Sequence, residues 1–179
     1  NTLKLISQIH IKNNNIKNAK ITLNEILSLD KKSMFAINCL GDVNKLEKNY
    51  LDAEKLYIKS IIYNKNFVPA YFNLASLYED KGDLEQAKNY YLKVIKIDKK
   101  NYAAYFNLQR LDENLITEKT IKNIYSDLNA NQNLKDKNVA YGHFVLAKSY
   151  RKKKQTKMEI KELSKGHKIF FNSDPINKH

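Results

Sequence analysis

Residues 68–101 read VPAYFNLASLYEDKGDLEQAKNYYLKVIKIDKKN, and the tetrapeptide YFNL at 71–74 returns unchanged at 105–108, 34 residues on. The interval is not confined to that phrase. Ala19, Ala53 and Ala87 fall 34 apart, and so do Ile6, Leu40, Leu74 and Leu108. Leu23, Tyr57 and Tyr91 form a third column, and Asp30, Asn64 and Asp98 a fourth. Four columns in one register mark an internal repeat, whose units bury their apolar faces by stacking on one another.

The repeat is helical. Tyr71, Leu74, Ala75 and Tyr78 sit at i, i+3, i+4 and i+7, one stripe along an α-helix. Gly82-Asp83 supplies a turn, and Asp83 is placed to cap the next helix with Gln86 as its capping-box partner. Ala87 is small because two helices must approach closely there. On these residues the segment resembles the tetratricopeptide (TPR) family, with Tyr71, Leu74, Ala75 and Tyr78 on the first helix and Ala87, Tyr91 and Val94 on the second.

The resemblance implies an all-α fold, a TPR-type α-solenoid of about five antiparallel helix pairs in a right-handed superhelical array. One array over 1–179 is expected, with repeats at about 1–33, 34–67, 68–101, 102–137 and 138–171 and a short tail at 172–179. Thr117 is placed to cap a helix over 117–130, and the fifth pair is expected at 138–153 and 155–171. Leu108 to Leu146 spans 38 residues, so a four-residue insertion is expected in the polar stretch 129–138.

Composition agrees with helices. Four Gly and two Pro leave little material for hairpins, and 42% hydrophobic with 28% charged residues is globular. Thirty of the 32 basic residues are Lys, which together with frequent Asn reads as codon bias, so neither residue carries weight without a position that uses it. Cys39 is the sole cysteine, which excludes an internal disulfide. No apolar run approaches the ~20 residues of a membrane span, and the expected compartment is cytoplasmic.

The chain offers no catalytic constellation. Ser149-Tyr-Arg-Lys152 and Ser28-Leu-Asp-Lys31 match S-x-x-K only as often as chance allows in so lysine-rich a sequence. His10, His143, His167 and His179 share no metal spacing with one another or with Cys39, and His10 and His143 read as packed core residues. Gly41, Gly82, Gly142 and Gly166 are isolated, so no Gly-rich loop cradles a phosphate. No cofactor, metal or catalytic residue is expected.

In TPR folds the first helix of each pair lines an inner groove that holds extended peptides or partner helices. Transferred by register, the resemblance places Lys4 and Gln8 there from the first repeat, and Asn38, Cys39, Asp42 and Lys45 from the second. The third supplies Phe72, Asn73, Ser76, Glu79 and Asp80, and the fourth Phe106, Asn107, Arg110 and Glu113. Asn73 and Asn107 occupy the position of the asparagine ladder in the TPR region of O-GlcNAc transferases. Leu5 and Cys39 stand there in the first two repeats, so two rungs remain. Local hydrogen bonding or codon bias explains the same asparagines. The carboxylate clamp that holds chaperone C-termini is not matched, since only Lys4 fits among Lys4, Gln8, Cys39, Pro69 and Asn73.

The C-terminal third resembles the TPR region that precedes a sulfotransferase domain in bacterial two-part proteins. Phe144, Leu146, Ala147, Lys148 and Tyr150 carry the likeness, followed by Lys165-Gly166-His167. Arg151 and Lys152 stand where that group has acidic residues, and Glu159 where it has a small one. This implies a substrate-recognition arm, with any donor site in a catalytic domain of the same parent chain. The absence of an initial Met, the incomplete first repeat and the apolar end Ile169, Phe170, Phe171 lead us to expect a fragment of a longer protein.

Net charge is +13 and uneven. Residues 148–168 hold nine Lys/Arg against Glu159 and Glu162, with a basic patch at Lys148, Arg151, Lys152, Lys153, Lys154 and Lys157. A solvated lysine-rich face explains this, because aromatic interleaving is lacking. A protein- or peptide-binding scaffold is the expected function, as the recognition arm of a sulfotransferase-like protein. The alternatives are a free-standing adaptor and a basic module for anions or nucleic acid through residues 148–168; a membrane partner is not expected, and nucleic acid is the weaker alternative.

Overall fold

The computed structural model describes residues 2–130 and 136–173. Ten α-helices occur among them, with no strand. They are α1 (Thr2–Lys12), α2 (Ile16–Leu29), α3 (Met34–Leu46), α4 (Tyr50–Tyr63), α5 (Val68–Asp80), α6 (Leu84–Ile97), α7 (Tyr102–Leu111), α8 (Glu118–Ala130), α9 (Lys137–Lys152) and α10 (Thr156–Asn172). A 3₁₀ turn at Glu113–Leu115 joins α7 to α8. The fold is thus the all-α class of TPR-type helix pairs that the repeat predicts. The insertion expected within 129–138 falls largely on residues 131–135, outside the described residues. No helix among the described residues is long and apolar enough to cross a membrane.

Two compact units divide the chain, residues 1–93 and 94–179, with the boundary inside α6. In the first unit the helix pairs close on alanine. Ala19, Ala53 and Ala87 are all fully buried, and beside them Leu23, Tyr57 and Tyr91 are buried too. Facing them, Ser7, Gly41 and Ala75 stand 34 apart, and both Ser7 and Ala75 are fully buried. The fit is tight. A Cβ added at Gly41 would lie 2.5 Å from the Tyr57 ring.

Turns follow the same register. Asn14, Lys48 and Gly82 all take positive φ, 54°, 63° and 79°, so each first helix ends on one left-handed residue. Asp83 then accepts the Gln86 N–H at 3.1 Å, which makes it the N-cap of α6. Ile6, in the column of Leu74, is 38% exposed whereas Leu74 is fully buried. Leu74 packs with Ala53 and Tyr57 of the preceding pair, and the described residues place no helix before α1 to do the same for Ile6.

The second unit pairs α9 with α10 and packs both α7 and α8 on α9, with a different chemistry. Thr117 accepts the Thr120 N–H at 3.2 Å and caps α8, as its sequence position predicts. Tyr102, Ile121, Ile124, Leu128, Val139 and Leu146 form the core of α7, α8 and α9. In the last pair Glu159 stands in the alanine column, and close approach shifts to Gly166. A Cβ there would meet the Phe144 ring at 2.5 Å and the Ala140 carbonyl at 3.2 Å. His143 is a buried residue, as expected, but its packing is polar: Nδ1 lies 2.6 Å from the Glu162 carboxylate. Burial pushes the Glu162 carboxyl up, yet hydrogen bonds from His143 and Lys165 outweigh it and leave it below its ordinary value.

Overpacking either close approach should be costly. Ala87→Leu and Gly41→Ala are each expected to destabilise by ~1–3 kcal/mol, read as a lowered thermal midpoint in circular dichroism.

Candidate functional site

The first helices of the first unit gather a polar cluster that the hydrophobic core does not need. Asp42 on α3 is its centre. One carboxylate oxygen, Oδ1, accepts the Tyr57 hydroxyl of α4 at 2.8 Å and the Asn73 amide of α5 at 2.6 Å. Lys45, one turn along α3, donates to the Ser76 hydroxyl at 2.6 Å and pairs with Asp80 at 3.0 Å. Five of the residues assigned to the groove by register (Asp42, Lys45, Asn73, Ser76 and Asp80) therefore meet in one place. A pocket of about 400 Å³ opens there, with Asp42, Asn73, Lys45 and Asp80 on its polar side and Ile11 and Leu46 among its apolar residues.

Burial is the largest influence on the Asp42 carboxyl and pushes it up to about 6, against the Tyr57 hydrogen bond, the Lys45 charge and the Asn73 hydrogen bond. Burial, aided by the Asp42 charge, also pushes the Cys39 thiol up to about 12, so it stays protonated and unreactive at neutral pH.

Other expected groove residues lie apart from this cluster. Lys4 and Gln8 are exposed on α1, with Lys4 Nζ 5.4 Å from the Phe35 ring centroid. Asn38 is buried, only 6% exposed, and its Oδ1 has no hydrogen-bond partner among the described residues. Phe72 packs edge-on against Tyr91 at 5.4 Å, and Glu79 accepts the Tyr91 hydroxyl at 2.6 Å. Both Phe72 and Glu79 therefore also brace α5 against α6.

In the second unit, Phe106 and Asn107 are half-buried on α7 and Arg110 is exposed. Phe106 lies 5.2 Å from Tyr141 and 6.0 Å from Phe144, and these two rings in turn contact Phe170. Asn107 has no side-chain hydrogen bond among the described residues, whereas Asn73 is held by Asp42. The two asparagines of the YFNL phrases thus differ in their surroundings.

Three of the six basic-patch residues pair with carboxylates, and a fourth bonds a backbone carbonyl. Lys148 donates to the Gln109 carbonyl at 2.7 Å. Arg151 pairs with Glu159 at 2.6 Å, Lys152 with Glu113 at 3.0 Å and Lys153 with Glu118 at 2.8 Å. Lys154 forms the left-handed turn residue between α9 and α10, and Lys157 is exposed in the first turn of α10. No group of three or more His, Cys, Asp or Glu side chains suited to a metal ion occurs among the described residues.

Sequence reasoning did not single out Tyr57 and Glu162 as polar partners. Tyr57 stands in the sequence only as a member of the Leu23, Tyr57, Tyr91 column, and only the fold shows its hydroxyl on Asp42. Glu162 lies in a lysine-rich helix, where nothing local distinguishes it from solvated carboxylates.

Comparison with known proteins agrees with the architecture. Residues 5–33 and 68–101 match the Tetratricopeptide repeat family. Among solved structures, Pseudomonas aeruginosa pilF is similar over 97% of this chain and 75% of its own, at 15% identity and TM-score 0.64. BtubC (BKLC) from P. vanneervenii is similar over 99% of this chain and 80% of its own, at 13% identity and TM-score 0.63. YrrB, described as a TPR protein with an unusual peptide-binding site, is similar over 91% of this chain and 82% of its own, at 14% identity and TM-score 0.52. At these identities the likeness is one of fold. No curated protein matches the sequence.

The Asp42 carboxyl carries a signed consequence for stability. Its folded value of about 6 lies above the ordinary carboxylate range, so its favourable contribution is complete below that range and lost as pH rises through 6. Asp42→Asn retains the oxygen that accepts from Tyr57 and Asn73 and removes the charge. It is expected to stabilise the fold by ~1–3 kcal/mol at pH 7.5 and to have no such effect at pH 4, as read from denaturant midpoints.

Proposed function

We propose that this chain is a protein-interaction module that holds an extended peptide, or an extended segment of a partner protein, against its first helices. The observation that carries this reading is the Asp42–Lys45–Asn73–Ser76–Asp80 cluster around an open pocket. Polar side chains assembled on α3 and α5 beside a cavity are suited to a guest rather than to holding the core. The peptide-binding site named for YrrB belongs to a protein of similar fold and is consistent with this reading.

Asn73 in the first unit serves the backbone of a guest, and Asn107 offers the same amide within the second unit. Each amide offers an acceptor oxygen and N–H donors, so it can pair with a peptide irrespective of that peptide's side chains. Asn73 commits one N–H to Asp42 and keeps its oxygen, while Asn107 has both ends available among the described residues.

A narrower reading makes the chain the recognition arm of a larger sulfotransferase-like protein. It rests on the resemblance in the C-terminal third, whose Phe144 and Gly166 form one tightly packed contact. Extending the gene sequence past the codon for His179 tests it. An α/β domain with a phosphate-binding loop is the expected continuation, and a stop codon would leave a free-standing adaptor.

The peptide-binding reading is tested on an array of proteome-derived peptides probed with wild type and with the Asn73→Ala, Asn107→Ala double variant. We expect discrete peptide binders whose affinity falls about tenfold in the double variant, with far-UV circular dichroism unchanged. Unchanged affinity would count against a groove that reads the peptide backbone.

A further inference from the structure

The pocket on Asp42 has the chemistry of a receptor for one side chain. We infer that it takes the side chain of a lysine in the partner peptide, with the ammonium on Asp42 and the aliphatic stem against Ile11, Leu46 and Tyr50. This rests on the peptide-binding reading above and adds a residue class to it.

Geometry sets the head group. Oδ1 of Asp42 already accepts two hydrogen bonds, from Tyr57 at 2.8 Å and Asn73 at 2.6 Å. Among the described residues Oδ2 has no partner, and Asp42 lines the pocket. Because Asn73 turns its amide N–H groups towards Asp42, its carbonyl oxygen remains as a second acceptor. A carboxylate with one oxygen in use cannot give the parallel pair of bonds that suits a guanidinium, whereas an ammonium needs only single acceptors. The apolar residues set the stem. Ile11, Leu46 and Tyr50 line the same pocket and match a four-carbon chain, which a peptide's N-terminal ammonium lacks.

Charge agrees. The charged and titratable groups around Asp42 are Cys39 and Lys45 on α3, Lys48 in the turn, Tyr50 and Tyr57 on α4 and Asp80 on α5. Lys45 is engaged by Ser76 and Asp80, so the nearest cation is shared with another acid. Partial burial outweighs that cation and raises the Asp42 carboxyl to about 6, which marks an acid short of positive charge. A guest ammonium supplies that charge and displaces the proton. Binding should therefore strengthen as pH rises through 6, while the guest lysine stays charged throughout.

The test uses the whole chain and a blocked heptapeptide with one central lysine, its norleucine counterpart, and the norleucine peptide with a free N-terminus. Two-dimensional amide NMR titrations are run with wild type and Asp42→Asn at pH 5 and 7.5. We expect the lysine peptide to shift the amides of Ile11, Leu46 and Tyr50 in wild type, with affinity about tenfold above the norleucine peptide at pH 7.5. That preference should fall about tenfold at pH 5 and vanish in Asp42→Asn. Equal binding of the blocked lysine and norleucine peptides would overturn the lysine pocket and leave the peptide-binding groove standing. A preference for the free N-terminus over lysine would overturn it in favour of a terminal ammonium. No shift with any peptide would also overturn it, whereas the wider groove reading would then be judged by the peptide array, which does not depend on lysine. Comparing lysine with norleucine in wild type keeps the result independent of how Asp42→Asn folds.

Discussion

Close approach of two helices at a residue with little or no side chain is the constraint on which this structure depends. Where Ala53 and Gly41 let α3 and α4 come together, the Tyr57 ring fills the space that a larger residue would occupy. The same step recurs at Ala19 and Ala87, both fully buried. Interiors are packed densely enough that one extra methyl must displace something, so the repeat keeps its small residues while exposed positions vary around them. One left-handed residue at Asn14, Lys48 and Gly82 then ends each first helix and admits the second.

Small residues on one side of a first helix leave its other side free for polar chemistry. Tyr57 joins the two. Its ring packs against Gly41 in the core, and its hydroxyl reaches the Asp42 carboxylate. A half-buried carboxylate raised to about 6 disfavours the folded state at neutral pH, and a residue chosen for stability alone would be neutral there. Such a cost fits a position whose charge serves a guest, and it links the fold of the first unit to its proposed role.

The second unit solves the same packing problem with different residues. Glu159 stands in the alanine column, and the close approach passes to Gly166, over which Phe144 lies. Glu162, fully buried, is held by His143 and Lys165 instead of being replaced by a hydrophobic side chain. Gln109, where earlier repeats have Ser7, Gly41 and Ala75, is also buried and donates to the Val145 carbonyl at 3.4 Å. Around Phe106, Tyr141, Phe144 and Phe170 the packing is aromatic rather than polar.

Periodicity and residue type determined the helices, the caps at Asp83 and Thr117 and the close approach at Ala87. These are local or nearest-neighbour properties, and a repeat writes them several times over in one register. Register also nominated Asp42, Lys45, Asn73, Ser76 and Asp80 without showing that they touch. Their meeting was decided by tertiary structure, because it brings residues about 31 positions apart within hydrogen-bond distance on adjacent helices. Burial of Asn38, exposure of Ile6 and pairing of four basic-patch cations belong to the same class. Each depends on which helix lies opposite, and amphipathic spacing within one helix carries no record of that neighbour.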